Sequence, residues 1–219
     1  MNIDSALGRT LVAAAVGYGL GTIPSADVAA GWASAGSTNL RSTGSANPGA
    51  LNAGLTLGKK WGAAVFGADV AKGVAAAAVG RAIAGPLGAN LASSAAVGGH
   101  CYPPGRTGGK GVSTSIGQVI GTFPVYLPLD IAVGAATASL PKWTQRTWAA
   151  TAIASATWVG SSLVAYRRGW PTGIDARAPA SLPLAALASS VIIAKRFLDT
   201  PLVDGKPRDD DGVHGEETE

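Results

Sequence analysis

The sequence predicts an all-α, polytopic membrane helix bundle of about seven transmembrane helices, some of them short or broken. Charged residues make up 14% of the 219 residues, whereas soluble domains usually carry about 25%. The mean hydropathy is +0.26, and the apolar stretches are rich in Ala, Gly, Val and Leu. This composition is typical of membrane helices that pack through small residues. The length allows six or seven short spans of ~20 residues each, with loops.

Seven apolar segments follow one another along the chain, and several are shorter than the ~20 residues of a perpendicular span. They cover residues 10–32, 61–84, 87–102, 112–123, 125–140, 147–166 and 180–198. The region 112–140 could instead be one long helix, but Pro124 and Pro128 interrupt it, and proline kinks or ends helices. Short segments interrupted by glycine fit a bundle whose helices break near a site.

The distribution of positive charge favours seven spans over six. With seven spans and an outer N-terminus, eleven Lys and Arg residues lie on the inner face and five on the outer face. Merging 112–140 into one span gives eight on each face. Because cytoplasmic loops carry the excess of Lys and Arg, we expect seven spans in the plasma membrane. Both counts place the loops 33–60 and 103–111 together on the cytoplasmic side.

Composition also excludes several classes of site. A single cysteine, Cys101, excludes an intramolecular disulfide and a multi-cysteine metal site, and two histidines, His100 and His214, exclude a histidine-rich metal centre. We also expect no cofactor. The cations are scattered between apolar segments, which argues against a nucleic-acid partner. Residues 199–219 hold eight acidic and two basic residues. We expect them to form a disordered tail behind a membrane domain of residues 1–198.

The loop around Lys110 has the composition of a phosphate-binding loop. Its candidate ligands are Gly108, Gly109, Lys110, Gly111, Ser113 and Thr114. Glycines let backbone N–H groups approach an anion closely, and a lysine adds a mobile cation. A basic Gly/Pro loop is also an ordinary connection between membrane helices, and that interpretation stays open.

A second polar stretch, residues 37–52, offers neutral hydrogen-bonding groups. Ser45, Asn47 and Asn52 could bind phosphoryl or carbonyl oxygens, while Gly44 and Gly49 free the backbone for close approach. Its composition also suits a turn-rich linker. However, loops of this length are often functional.

Three of the ionisable residues in the apolar segments are candidates for a site. Asp69 and Lys72 are three residues apart, so they share a helix face and can pair. A structural ion pair and a ligand contact are equally compatible with that spacing. His100 lies near the end of the third segment, close to the loop around Lys110, where it could be a base, a phosphate partner or a helix cap.

Several motifs occur in a fixed order over residues 18–122. They are Gly21–Ser25, Leu40–Arg41, Gly44–Asn52, Thr56–Gly62, Asp69–Gly73, Gly99–Pro103 and Gly108–Thr114. This series resembles the bacterial acyl-phosphate:glycerol-3-phosphate acyltransferases, integral membrane enzymes of phospholipid synthesis. Ordered motifs at matching spacing are far more specific than any one of them.

The resemblance implies a seven-helix membrane enzyme that needs no metal. It would move an acyl group from acyl phosphate to the 1-hydroxyl of glycerol 3-phosphate within the membrane lipid, giving lysophosphatidate. We expect Ser45 and His100 to be catalytic. The expected substrate-binding residues are Arg41, Gly44, Asn47, Gly49, Asn52, Lys72, Gly108, Gly109, Lys110, Gly111, Ser113 and Thr114.

The chain differs from the family pattern at four places. Ala46 stands for a glycine, Leu51 for a threonine and Leu55 for an arginine, and Lys195–Asp199 occupies the place of a terminal motif containing His and Asn. These differences keep a second hypothesis open. The chain could be a non-catalytic or altered-substrate relative that binds or moves a phosphorylated lipid precursor.

Overall fold

The structure, a computed structural model, describes residues 5–139, 146–199, 202–203 and 206–207. The helices are α1 (Ala6–Gly21), α2 (Ser25–Ser34), α3 (Ala50–Leu57), α4 (Lys59–Cys101), α5 (Val112–Thr122), α6 (Leu127–Ala138), α7 (Arg146–Arg168) and α8 (Ser181–Leu198). A 3-10 turn, Pro124–Tyr126, precedes α6. Strands β1 (Leu202–Val203) and β2 (Lys206–Pro207) pair antiparallel. The predicted all-α class is confirmed. Most of the predicted tail 199–219 lies outside the described residues, so its disorder stays a prediction.

Helix α4 is a hairpin of two antiparallel arms, 59–83 and 86–101. The helix breaks at Ala84 and at Gly85, whose φ of +62° suits glycine, and Pro86 begins the second arm. Gly80 packs against Gly88 close to the turn, and Asp69 lies 3.6 Å from His100 close to the open end. The arms coincide with the predicted segments 61–84 and 87–102.

Two further predicted segments are broken helices. The segment 10–32 divides into α1 and α2, because Pro24 precedes the new helix and lacks an N–H to continue the first. The region 112–140 bends by 118° between α5 and the stretch Pro124–Thr137. It therefore forms two segments rather than one long helix.

By length and hydropathy, three helical stretches of the described chain could cross a membrane, namely Ala6–Ser34, Lys59–Cys101 and Ser181–Leu198. The bent pair of α5 and Pro124–Thr137 would be a fourth. Each of the seven predicted apolar segments is helical within the described residues, but the number of crossings stays a prediction.

Helix packing depends on small residues that let backbones touch. Gly17 and Gly21 of α1 lie against the backbone of Ala92 and Ala96 in the second arm of α4. The first arm meets α5 through Gly73 and Gly117 in the same manner. Lipid tails are as apolar as leucine, so close van der Waals packing of this kind drives helix association.

Different polar contacts join the loops at the two ends of the bundle. At one end, Arg81 donates to both carboxylate oxygens of Asp175 at 2.7 and 3.0 Å, which ties the α4 turn to the loop after α7. At the other end, Arg41 donates to the Thr107 carbonyl and Arg196 to that of Gly108. The two loops singled out from the sequence therefore meet there, together with the end of α8.

Replacing Gly73 with alanine tests the packing of α4 on α5. A Cβ at this position would overlap the Thr114 carbonyl oxygen and the Gln118 nitrogen, so the substitution should cost about 1–3 kcal/mol of unfolding free energy. Gly67→Ala is the matched control on the same helix arm, since nothing lies within 4 Å of its Cβ position. It should be neutral or stabilising by up to ~1 kcal/mol. Equal effects of the two variants on thermal unfolding in detergent would contradict the packing described here.

Candidate functional site

Two cavities meet at the break between α1 and α2. One is a polar cavity of about 20 Å³, lined by the segment 21–27, Arg41, Pro48, Lys72, His100, Pro103, Arg106, Gly108 and Gly109. The other is an apolar groove of about 490 Å³ between α2 and the first arm of α4, with Trp32 and Trp61 among its walls. Ile23, Ser25 and Lys72 line both. A molecule with an anionic head and an apolar tail would span this junction.

The Lys72 ammonium is bound by three protein oxygens. It donates to the Ile23 carbonyl at 2.6 Å, to Asp69 Oδ1 at 2.7 Å and to Ser25 Oγ at 3.0 Å. The Ser25 hydroxyl in turn donates to Asp69 Oδ1 at 2.5 Å. The side chains of Lys72 and Asp69 are only 5% and 1% exposed, so each charge depends on the other. The pair predicted from the three-residue spacing therefore exists, and it braces the break while contributing positive charge to the cavity wall.

A second cation caps the end of α1. The Arg106 guanidinium donates to the Thr22 carbonyl, one of the carbonyls that the helix end leaves without an intrahelical partner. Because the negative end of the helix dipole also lies here, a cation is favourable. Arg106 comes from the loop after α4, so this contact joins that loop to the break.

Arg41 connects the first loop to the glycine loop, which we define as Thr107–Gly111. Its guanidinium holds both carboxylate oxygens of Asp27 at 2.5 and 3.1 Å, and its Nε donates to the Thr107 carbonyl at 2.8 Å. The planar guanidinium of arginine suits this arrangement, because one edge binds both carboxylate oxygens of Asp27 and the Nε–H remains for the Thr107 carbonyl. Arg41 thus lines the polar cavity, with its orientation set by Asp27, and its contact with a substrate stays a prediction.

His100 lies between Asp69 and the glycine loop. Its Nδ1 is 3.6 Å from Asp69 Oδ1, and its carbonyl accepts the N–H of Gly109 at 3.2 Å. A Cβ on Gly109 would strike the His100 ring at Nε2, and one on Gly108 would strike the carbonyl oxygens of His100 and Cys101. Both glycines are therefore required for the loop to lie so close to the imidazole. The structure brings together the predicted residues His100, Gly108 and Gly109 on one wall of the cavity.

Asn52 organises the first loop. Its side-chain oxygen accepts the N–H of Ser45 at 3.1 Å, and its amide donates to the carbonyls of Leu40 and Thr43 at 3.0 Å each. Asn52 is fully buried, and these contacts, with one from Thr56, use its bonding capacity within the protein. A substrate contact by Asn52 stays a prediction, and the observed role is to hold the loop.

Ser45 and Asn47 shortly precede Pro48, a residue of the cavity wall. Ser45 Oγ and Asn47 Oδ1 are buried, and neither has a hydrogen-bond partner among the described residues. Such groups are costly unless a ligand or water satisfies them. Gly49 caps the N-terminus of α3, and Gly44 adopts a φ of +59°.

The remaining predicted residues lie away from the polar cavity. Lys110 is buried, with its Nζ 4.5 Å from the centre of the Phe197 ring. Gly111 begins α5 at a φ of +84°. Ser113 and Thr114 belong to the first turn of that helix, and the Thr114 hydroxyl has no hydrogen-bond partner within the described chain. Direct contact between Lys110 and a phosphate stays a prediction.

Sequence reasoning missed four residues of the cavity wall: Thr22, Ser25, Asp27 and Arg106. Thr22 and Ser25 are ordinary polar residues beside a proline, and their place depends on the helix break. Arg106 had a usable signal, because it is a second cation within the same short loop as Lys110. Asp27 had one too, as an acidic residue within the apolar segment 10–32 with an arginine in the next loop.

The chain is similar to known glycerol-3-phosphate acyltransferases. A family model described as glycerol-3-phosphate acyltransferase matches residues 11–197. The glycerol-3-phosphate acyltransferase of Thermoanaerobacter sp. (strain X514) is 39% identical over 107 residues, 48% of this chain and 54% of the relative. That of Sinorhizobium fredii is 37% identical over 139 residues, 63% of this chain and 67% of the relative. The chain thus spans about half to two thirds of the length of these curated relatives.

Two crystal structures of PlsY (YgiH), an integral membrane glycerol 3-phosphate acyltransferase, share the fold. The glycerol 3-phosphate form has a TM-score of 0.68 and 27% identity, covering 87% of this chain and 89% of that chain. The lysophosphatidic acid form has a TM-score of 0.67, with the same identity and 88% of that chain covered.

Ala46, which stands where the family pattern has a glycine, gives a test of backbone strain in the first loop. It adopts a φ of +53°, a conformation that costs residues other than glycine roughly 1–2 kcal/mol. Ala46→Gly should therefore raise the unfolding free energy by about 1 kcal/mol, after the entropy of the unfolded chain is counted. Ala63→Gly, at an exposed helical position of α4, should lower it by a similar amount. Thermal unfolding in detergent measures both, and a loss of stability in Ala46→Gly would refute the strain.

Proposed function

Because the chain belongs to the glycerol-3-phosphate acyltransferase family, we propose that it transfers an acyl group from acyl phosphate to the 1-hydroxyl of glycerol 3-phosphate. The products are lysophosphatidate and inorganic phosphate. The observation that carries this proposal is the junction of the polar cavity with the apolar groove at Ile23, Ser25 and Lys72.

The junction suits an acyl phosphate. An acyl chain is apolar, and it therefore matches the groove, whose exposed surface is almost entirely apolar. A phosphate suits the polar cavity, since Arg41, Lys72 and Arg106 surround it and cations with convergent N–H donors bind phosphate oxygens. The carbonyl carbon of the donor would then lie near Ser25, between the two.

The phosphate of either substrate needs more room than the polar cavity provides. A volume of about 20 Å³ holds little more than one water molecule. Binding therefore requires the first loop and the glycine loop to separate. The contact between them, Arg41 Nε to the Thr107 carbonyl, is one that must yield.

The reaction requires little covalent chemistry from the protein. The acceptor hydroxyl oxygen attacks the acyl carbon, a new ester C–O bond forms, and the bond from the acyl carbon to the phosphate oxygen breaks. Phosphate leaves with the electron pair of that bond, and the hydroxyl proton passes to a base. A mixed anhydride is already activated, so positioning and charge stabilisation supply most of the rate.

His100 is the base in this scheme. It lines the polar cavity, and Asp69, 3.6 Å from its Nδ1, stabilises the imidazolium that forms on proton uptake. Ser45 and Asn47, whose buried oxygens lack hydrogen-bond partners within the described residues, contact the acceptor from the Pro48 side. The cavity cations neutralise the phosphate that leaves.

The end of the bundle that carries both loops faces the cytoplasm in this proposal, and the membrane is the plasma membrane. The supporting observation is charge. Arg41, Arg106, Lys110, Lys195 and Arg196 all lie at this end, and cytoplasmic segments are enriched in such residues.

The assay uses purified full-length protein in lipid with acyl phosphate and glycerol 3-phosphate. Release of lysophosphatidate and of phosphate in equal amounts is the expected result. Turnover only with an acyl thioester would overturn the donor assignment. Binding of the phosphate esters without turnover, across donors and acceptors, would favour a non-catalytic relative.

The two histidines provide a matched pair of variants. His100→Gln should lower kcat by about 10²–10⁴-fold, the usual contribution of a general base, with thermal unfolding little changed. His214→Gln, which lies outside the described residues, should retain the wild-type rate. If the two variants have the same kcat, His100 is not the base.

A further inference from the structure

The end of α8 holds the glycine loop through two adjacent residues. Arg196 is 7% exposed, and its Nη2 donates to the Gly108 carbonyl at 2.9 Å. The next residue, Phe197, supports the Lys110 ammonium on its ring and stacks on Trp148 at 5.4 Å. Residues of α8 thus hold both the Gly108 carbonyl and the Lys110 ammonium of the loop. These residues lie more than 80 positions further along the chain.

The Arg196 contact determines the orientation of one peptide unit. The Gly108 carbonyl and the Gly109 N–H belong to the same planar amide and point in opposite directions. Arg196 binds the carbonyl at 2.9 Å, and the His100 carbonyl accepts the N–H at 3.2 Å. The plane is therefore held from both sides. Without Arg196, glycines on both sides would let it rotate at little cost.

That peptide unit forms the wall next to the imidazole. Gly108 and Gly109 line the polar cavity, and the Gly109 Cβ position faces His100 Nε2. Rotation of the plane would therefore move the cavity wall against the ring of the proposed base. It would also release the His100 carbonyl from its backbone partner.

The neighbouring residues of the helix end make a separate set of contacts. Asp199 accepts hydrogen bonds from Lys195 at 2.7 and 2.9 Å and from the Tyr102 hydroxyl at 2.8 Å. Burial and the neighbouring Asp199 carboxylate raise the pKa of Tyr102 to about 12, so the phenol stays a donor at neutral pH. These contacts are at the surface, whereas Arg196 points into the loop.

We propose that Arg196 is a positioning residue for acyl transfer, which acts by holding the Gly108–Gly109 peptide against His100. This inference rests on the proposed function for its kinetic consequence. It assigns to the end of α8 a role in the reaction, although no side chain of Lys195–Asp199 lines the polar cavity.

The kinetic test compares two neighbouring cations. Arg196→Gln removes the charged fork and should lower kcat by about ten- to a hundredfold, since small displacements of catalytic groups have effects of that size. Lys195→Gln, one residue away with a side chain 64% exposed, should keep the wild-type kcat and KM. Arg196→Lys should restore little, because an ammonium on a shorter stem does not reproduce the fork. Full activity of Arg196→Gln would overturn the proposal.

A double variant separates positioning from general destabilisation. If Arg196 acts through His100, adding Arg196→Gln to His100→Gln should lower kcat no further, because the residues work as a unit. A merely structural role would multiply the two losses. Multiplicative losses would therefore contradict the inference.

A second readout does not depend on turnover. Amide hydrogen exchange in the segment 102–111, followed by mass spectrometry, should accelerate in Arg196→Gln and stay at the wild-type rate in Lys195→Gln. If the wild-type protein proved inactive while this difference appeared, the proposed function would fail and the positioning contact would stand. Unchanged exchange in both variants would overturn the positioning contact itself.

Discussion

The structure depends on the contact between the Lys72 ammonium and the break in the first apolar segment. A helix that ends inside a membrane leaves carbonyl groups with no water to satisfy them, and such ends persist only where protein groups replace the water. Lys72 donates to the Ile23 carbonyl, and Asp69 and Ser25 complete the cluster around it. Arg106 satisfies the neighbouring Thr22 carbonyl. The two cations that stabilise the break also line the polar cavity beside it, together with Arg41 and Asp27.

The glycine packing and the ion cluster support one another. Gly73 follows Lys72 directly and lets α5 approach the first arm of α4, which brings the start of α5 and the glycine loop toward the break. Gly17 and Gly21 do the same for α1 and the second arm. A larger residue at these contacts would separate the helices that carry Lys72 and His100, and with them the loop that carries Gly108. The composition of small residues thus serves both helix association and the geometry of the site.

Much of the fold could be predicted from the sequence because it depends on local signals. Gly85–Pro86 marks the α4 turn and Pro124 marks the break after α5, whereas the break at Pro24 lies inside the predicted segment 10–32 and was not predicted. The ion pair of Asp69 and Lys72 follows from helical periodicity alone. The loops at one end follow from the order of the segments.

The arrangement inside the site was less predictable, because long side chains choose partners from distant parts of the chain. Lys110 lies on Phe197, 87 positions further along, and no local pattern specifies that contact. Asn52 has the composition of a ligand-binding residue but bonds to its own loop. Arg106 reaches the end of α1 across 84 positions. Motif resemblance located these residues in the right region without distinguishing those that line the cavity from those that hold it.

The most direct test of the central contact is the unfolding free energy of Lys72→Met in detergent, compared with Lys59→Met at an exposed position of the same helix. Removing Lys72 leaves the buried Asp69 carboxylate and the Ile23 carbonyl without their cation, so we predict a loss of roughly 3–5 kcal/mol, whereas Lys59→Met should change the unfolding free energy by less than about 0.5 kcal/mol. Adding Asp69→Asn to Lys72→Met should recover part of the loss. A Lys72→Met protein as stable as the wild type would contradict the account, since the ammonium would then not be bound to the break.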